Sequence, residues 1–222
     1  MIVVALCASF AVLTVHNLRI ERLPAALYVP ACLGTATVLV TLARWAGIGG
    51  TDLGLSTAGL GMGMAVGTVV ALVVVGAGFL PATRARFADR RMAGVARAQT
   101  AYLALVRIPL GTVAVEEVAF RGVLLALLER IGGVGWAVAG SCLLFGLWHV
   151  VPVRATLTTN LRPVRPGAIA AAAVATGCFG AGLCWLRLTT GGLAAPAIVH
   201  ASTTATATVV AHFVLRPARL GR

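Results

Sequence analysis

The sequence predicts an all-α protein, a polytopic transmembrane bundle of about seven helical spans. Of its 222 residues, 59% are hydrophobic and 11% are charged, and the mean hydropathy is +0.98. Soluble domains carry roughly 25% charged residues, whereas several runs here are apolar over about 18 residues or more, enough to cross the hydrocarbon core. The runs are continuous rather than alternating, which argues against a β-barrel.

Seven apolar runs are candidates for these spans: 2–18, 24–45, 58–80, 109–128, 134–151, 166–186 and 192–214. The first run lacks a positively charged start, so we expect an uncleaved span rather than a removable signal peptide. The third contains Gly59, Gly63 and Gly67 at four-residue spacing, a small-residue face suited to close helix packing inside the bundle. Before the fourth, residues 98–108 are expected to lie at the membrane interface, with Pro109 turning the chain inward.

The arginines predict the orientation of the spans. All 18 basic residues are arginine and the net charge is +12. With the N-terminus outside, thirteen arginines face the cytoplasm: Arg19, Arg22, Arg84, Arg86, Arg90, Arg91, Arg97, Arg154, Arg162, Arg165, Arg216, Arg219 and Arg222. Three face outward, Arg44, Arg130 and Arg187, and the remaining two, Arg107 and Arg121, fall near or within the membrane. This asymmetry predicts an integral protein of a bacterial-type cell membrane with its N-terminus outside and its C-terminus in the cytoplasm. The basic charge then reflects topology, and no nucleic-acid partner is expected.

The longest polar segment, from Pro81 to Gln99, divides the chain. Residues 1–97 form a three-span region with its following loop, and residues 98–222 form a second region with a four-helix core that carries every candidate catalytic group. His16 and His212 lie near span ends and are expected at the interface.

Two of the six acidic residues, Glu116 and Glu117, are adjacent inside an apolar span. Charges at bilayer depth are costly and persist where they face a partner or a polar cavity. Glu117 and Arg121 are spaced i, i+4 and share a helix face, so they can pair. Glu116 points about 100° away around the helix, which leaves it free to act as a base.

Two later spans each carry a histidine. His149 follows Phe145 by one turn, and His200 follows Pro196 by one turn. Thr204 lies four residues after His200 and shares its face.

The ordered motifs Glu116-Glu117-x-x-x-Arg121, Phe145-x-x-x-His149 and His200-x-x-x-Thr204 resemble the CPBP family of CAAX-protease and bacteriocin-processing (Abi) intramembrane proteases. The resemblance covers roughly residues 98–214. The sequence departs from the family at Thr204, where asparagine is common.

The resemblance implies an intramembrane endopeptidase that hydrolyses a peptide bond at the membrane surface. Glu116 and His149 would activate a water, and His200 and Thr204 would stabilise the oxyanion. Threonine donates a single hydrogen bond and reaches less far than an asparagine amide. Glu116, His149 and His200 are also residue types that bind zinc, so they are a candidate site for a divalent metal, although no His-Glu-x-x-His motif is present. In eukaryotic relatives the substrates are prenylated proteins ending in a CAAX motif. Nothing in this sequence selects its peptide or protein substrate.

Two other functions are compatible with the sequence. A non-catalytic membrane partner or bacteriocin-immunity protein would keep the protease fold, and Thr204 motivates this alternative. A small transporter would also place carboxylates and histidines in the membrane, but the chain lacks the internal repeats that transporters often have.

Overall fold

The chain folds into long helices, and the two longest connections between them are residues 46–59 and 80–96, the second of which contains the single helical turn Pro81–Arg84. In the computed structural model of the protein residues 1–215 are described, and the arginines predicted to face the cytoplasm at Arg216, Arg219 and Arg222 lie outside them. In order, the helices are α1 (Ile2–Arg19), α2 (Ala25–Trp45), α3 (Leu60–Phe79), α4 (97–132), α5 (134–148), α6 (Val150–Thr159), α7 (Pro166–Thr190) and α8 (Ala194–Leu215). Residues 1–215 contain no strand, which confirms the all-α class.

Six helical stretches within the described residues are long and apolar enough to cross a membrane. The longest, Arg97–Thr159, reverses direction at Gly133, where φ is +78°. Beyond this residue Ser141 Oγ donates to the Phe120 carbonyl and Trp148 Nε1 donates to Glu116, so α4 and α5 run antiparallel. The stretch therefore supplies two of the seven predicted spans, and the chain is an integral membrane protein.

The helix that carries the fourth predicted span begins earlier than that span. α4 starts at Arg97 and continues through Pro109, so Pro109 does not turn the chain and residues 98–108 belong to the same helix. Their position at the interface stays a prediction. The backbone follows a π-helical course over Leu103–Val113 and again over Val118–Leu124. Proline cannot donate to the preceding turn, and π-helical segments are a recognised way for a helix to absorb such an interruption.

Close packing joins α3 to α8. A Cβ on Gly63 would lie 2.8 Å from Ala195 Cα, and a Cβ on Gly67 would lie 2.8 Å from Ser202 Oγ. The predicted small-residue face is therefore used inside the chain, and Gly78 meets Val210 in the same way further along the helix.

Helices from both halves of the chain share the apolar core. Leu13 of α1 and Leu39 of α2 belong to the same buried cluster as Phe120 and Phe145. The two histidines expected near the interface are both buried within the protein. His16 Nδ1 lies 2.9 Å from Thr35 Oγ1 on α2, and His212 Nδ1 lies 3.1 Å from Thr100 Oγ1 on α4. Their polar partners on neighbouring helices are tertiary contacts that the sequence of one span does not reveal.

The loop between α2 and α3 is fixed to the end of α7. Arg187 donates from Nη2 to the Asp52 carbonyl at 2.8 Å. On the other side of Asp52, Arg130 donates to the carboxylate at 2.8 Å, and this hydrogen bond holds the pKa of Asp52 below its usual range. This end of the bundle is held together by contacts from three separate parts of the chain.

Candidate active site

The two glutamates lie in the middle of α4, in the single α-helical turn Ala114–Glu117 between the two π-helical segments. Their surroundings are almost inaccessible to solvent: the exposed fraction is 5% for Glu116, 1% for Glu117 and 0% for Arg121. His200 of α8 is also buried. Four polar side chains therefore meet in one enclosed cluster.

Glu117 is the centre of this cluster. Its Oε1 accepts from Arg121 Nη1 at 3.2 Å, so the predicted i, i+4 contact is present. The same oxygen lies 2.7 Å from His200 Nδ1. Because a carboxylate can only accept, Nδ1 carries the proton in this hydrogen bond. Glu117 thus fixes the orientation of the imidazole as well as pairing with Arg121.

Glu116 has two neighbours. Its Oε1 accepts from Trp148 Nε1 at 2.8 Å, and its Oε2 lies 3.6 Å from His200 Nε2. The two ring nitrogens of His200 therefore face two adjacent carboxylates. Because α4 already begins at Arg97, Glu116 lies in the middle of that helix, where it meets His200 of α8.

Aromatic rings enclose the charged groups. The Arg121 guanidinium carbon lies 4.0 Å from the centroid of the Phe145 ring, a cation–π arrangement. The His200 ring makes edge contacts with Phe145 at 5.9 Å and with Phe179 at 5.6 Å between centroids. These apolar walls exclude water and strengthen the electrostatic interactions between the buried charges.

His149 and Thr204 are not hydrogen-bonded to this cluster. Within residues 1–215, His149 Nδ1 contacts the Phe145 carbonyl at 2.8 Å, and its ring packs against Phe145 at 4.6 Å. Consecutive helical residues point about 100° apart, so Trp148 and His149 cannot both face Glu116, and Trp148 does. Thr204 lies one turn beyond His200 and lines a cavity at the end of the bundle.

Trp148 is the residue that sequence reasoning missed. It stands beside His149 in the second motif, and an indole N–H is a donor that needs a partner when buried. That signal was available, but the choice of Glu116 as its acceptor depends on the pairing of α4 with α5.

The side chains as placed do not form a metal centre. Among the described residues, no group of three His, Cys, Asp or Glu side chains is arranged to hold a metal ion. Glu116 and His200 are near each other, but His149 is bonded to a backbone carbonyl away from them. The predicted metal set of Glu116, His149 and His200 is thus not assembled, and a metal requirement stays a prediction.

The charges in the cluster balance when His200 is protonated. Two carboxylates then face one guanidinium and one imidazolium, and buried charges are tolerated when they are paired. Within the described residues, Glu116 Oε2 and Glu117 Oε2 are buried and have no hydrogen-bond partner. Buried unsatisfied oxygens are uncommon, and here each glutamate keeps one oxygen unused as a hydrogen-bond acceptor.

Comparison with known proteins identifies a similar family. Residues 98–206 match the family model described as type II CAAX prenyl endopeptidase Rce1-like. This segment, just under half of the chain, is similar to the Rce1-like family. No curated protein and no solved structure matches the chain. The Rce1-like segment runs from the start of α4 into α8 and contains all six candidate residues: Glu116, Glu117, Arg121, His149, His200 and Thr204. It agrees with the CPBP resemblance that the three motifs indicated.

Proposed function

We propose that this protein is an intramembrane endopeptidase in which Glu116 activates a water molecule. The observation that supports this most is the position of His200 between two adjacent glutamates, with its Nδ1 2.7 Å from Glu117 and its Nε2 3.6 Å from Glu116. A base and a hydrogen-bond donor lie side by side, as peptide hydrolysis requires.

Each residue has a distinct part in the proposed reaction. Glu116 Oε2, which lacks a hydrogen-bond partner among the described residues, takes a proton from water as the water oxygen attacks the peptide carbonyl. Protonated His200 donates from Nε2 to the developing oxyanion. Glu116 then passes its proton to the leaving amine as the C–N bond breaks. Glu117 and Arg121 hold His200 in place and balance its charge.

His149 is proposed to assist Glu116. Its Nδ1 faces the Phe145 carbonyl and must donate there, which leaves Nε2 as an acceptor in the neutral ring. That tautomer suits a base, and the proposed role requires the side chain to rotate towards Glu116. None of these steps is assigned to a metal ion, because the predicted ligands do not converge.

We propose prenylated peptides ending in a CAAX motif as the substrate class. The support is the name of the matching family, type II CAAX prenyl endopeptidase. A membrane-embedded site suits a peptide whose lipid chain keeps it at the bilayer.

The test is peptidase activity of purified protein in lipid nanodiscs on a peptide with a farnesylated cysteine and three further residues. Glu116→Gln keeps the shape and an acceptor for Trp148 but removes the base, so kcat should fall about 10²–10⁴-fold. The matched control is Glu129→Gln, the same change on an exposed glutamate, which should retain activity. Equal activity of both variants would exclude the hydrolytic role of Glu116.

The same assay addresses the non-catalytic alternative. Replacing Thr204 with asparagine restores the residue common in the family and should raise activity if that position contributes to the oxyanion site. If neither the natural protein nor Thr204→Asn cleaves any prenylated peptide, the role of a membrane partner or immunity protein is supported.

A further inference from the structure

A second polar site lies beside the buried cluster. A cavity of about 460 Å³ is lined by residues of α2, α4 and α8. The loop after α3 and Glu21, which precedes α2, complete its lining. Its volume is within the roughly 300–1,000 Å³ typical of ligand sites. Three arginines line it, Arg86, Arg91 and Arg107, against two carboxylates, Glu21 and Asp89. The excess of positive charge favours an anionic ligand.

The cavity extends towards the candidate active site. Thr112 and Thr204 are among its lining residues. Thr112 precedes Glu116 by four residues and Thr204 follows His200 by four, which is about 6 Å along each helix. Glu116 and His200 do not line the cavity themselves, so the two threonines lie between it and the cluster.

Arg107 is held in position to bind a carboxylate. Its guanidinium carbon lies 3.8 Å from the centre of the Tyr28 ring, and the Tyr28 hydroxyl shares a 2.9 Å hydrogen bond with Thr112. Arg107 Nη2 donates to Glu21 Oε2 at 3.1 Å, but the Glu21 side chain is 72% exposed. An exposed pair contributes little, so a ligand carboxylate can replace Glu21 at small cost.

The other two arginines differ in availability. Arg91 is paired with Asp89 at 2.6 Å. Burial raises the pKa of Asp89, but its hydrogen bonds with Arg91 outweigh this and the pKa lies below its usual range, so Asp89 is ionised at neutral pH. The Arg86 side chain is exposed and has no hydrogen-bond or ion-pair partner within residues 1–215. Its charge is therefore available to a ligand in addition to that of Arg107.

We infer that this cavity binds the free C-terminal carboxylate of the peptide substrate, with Arg107 as its main ligand and Glu21 as the group it displaces. The inference rests on the proposed peptidase function. Arg107 precedes Glu116 by nine residues, at most about 13 Å along the helix. Three extended residues span about 10 Å. A peptide cleaved beside Glu116 three residues from its end would thus place its carboxylate within reach of Arg107.

An anionic lipid headgroup is the other ligand that three arginines would accept. The inner end of the cavity favours the peptide, because Thr112 and Thr204 line it one helical turn from Glu116 and His200. A site for a headgroup alone has no need to lie next to the proposed catalytic residues. The arginines then select substrates by their chain end.

The test compares two forms of one farnesylated peptide, ending in a free acid or in an amide, in nanodiscs of neutral lipid. The natural protein should cleave the acid with a kcat/KM at least tenfold higher than the amide, because a hydrogen bond to a charged group is lost in the amide. Arg107→Gln should reduce that ratio to near one by raising KM for the acid. Glu21→Gln should lower KM for the acid and leave the amide unchanged. Arg130→Gln, which alters an exposed pair with Asp52 at the other end of the bundle, is the matched control and should keep the ratio.

The outcomes separate the two proposals. Cleavage of neither peptide would refute the peptidase function itself. Equal cleavage of acid and amide by the natural protein would overturn the carboxylate site while keeping the peptidase. A third outcome would assign the cavity to a lipid headgroup. In that case acid and amide are cleaved equally, anionic lipid activates the natural protein, and Arg107→Gln abolishes this activation. If Arg107→Gln fails to fold, the acid-to-amide ratio of the natural protein and of Glu21→Gln still decides.

Discussion

The Trp148 indole nitrogen donates to Glu116 Oε1 at 2.8 Å, so the carboxylate assigned as the base is oriented by its neighbour on α5. The hydrogen bond leaves the other carboxylate oxygen, Oε2, directed towards His200 at 3.6 Å. The sequence suggested no partner for Glu116, which points away from the Glu117–Arg121 pair. In the structure Trp148 holds one of its two carboxylate oxygens in a defined place.

Replacing Trp148 with phenylalanine should reduce kcat about 10–100-fold and leave KM nearly unchanged. The ring is retained, but Glu116 loses the donor that orients it, and hydrogen bonds to charged groups contribute about 1.5–3 kcal/mol. The measurement is steady-state peptidase kinetics. Trp136→Phe, on the exposed side of the same helix, serves as the control, and an equal effect of both changes would contradict the role of Trp148.

Replacing Arg121 with methionine should lower stability by about 3–5 kcal/mol, because the Glu117 carboxylate loses its guanidinium partner in a buried site. Thermal unfolding in detergent measures this as a large drop in Tm. Adding Glu117→Gln to Arg121→Met should recover part of the loss by neutralising that carboxylate. Arg130→Gln, which breaks a pair whose side chains are half-exposed, should cost no more than about 1 kcal/mol. Similar losses for the two arginines would argue against the buried pair.

The glycine face of α3 gives a sharp comparison. Gly63→Ala should destabilise the protein by about 1–3 kcal/mol, because the new methyl group would lie 2.8 Å from Ala195 Cα and force α8 away. Gly61→Ala meets no atom within 4 Å and should be neutral or slightly stabilising. Tm values of the two variants in the same detergent test this, and a harmless Gly63→Ala would contradict the packing of α3 on α8.

At the reversal between α4 and α5, Gly133→Ala should cost about 1–3 kcal/mol. Its φ of +78° and ψ of 177° form a conformation that residues with a Cβ adopt only under strain. Gly135→Ala, two residues further along in α5 with open space around it, is the control. The difference in Tm between the two alanine variants measures the strain, and equal values would show that the turn tolerates a side chain.

Much of the fold could be predicted because apolar length dictates spans. The predicted boundaries of α1, α2 and α3 agree with the structure within a few residues. The predicted turn at Pro109 was wrong. Proline usually interrupts a helix, and only the tertiary environment decides that the backbone at Pro109 continues in π-helical form.

The candidate site was predictable to the extent that it is local. The contact of Glu117 with Arg121 follows from i, i+4 spacing within one helix. The contacts of Glu116 with Trp148, and of both glutamates with His200, join separate helices and depend on how these are stacked. The same holds for His16, whose buried position is set by Thr35 on the neighbouring helix.

Because α8 packs against α3, residues 98–206 depend on a helix that lies outside them. His200 reaches the glutamates only if α8 stands at the correct height and rotation, and the glycines that set its height belong to a helix outside residues 98–206. A fragment made of residues 98–206 alone would keep every proposed catalytic side chain. It would lack α3, however, so α8 and its His200 would lose the helix that positions them. Variation in the first three helices can therefore tune the reaction without touching a reacting group.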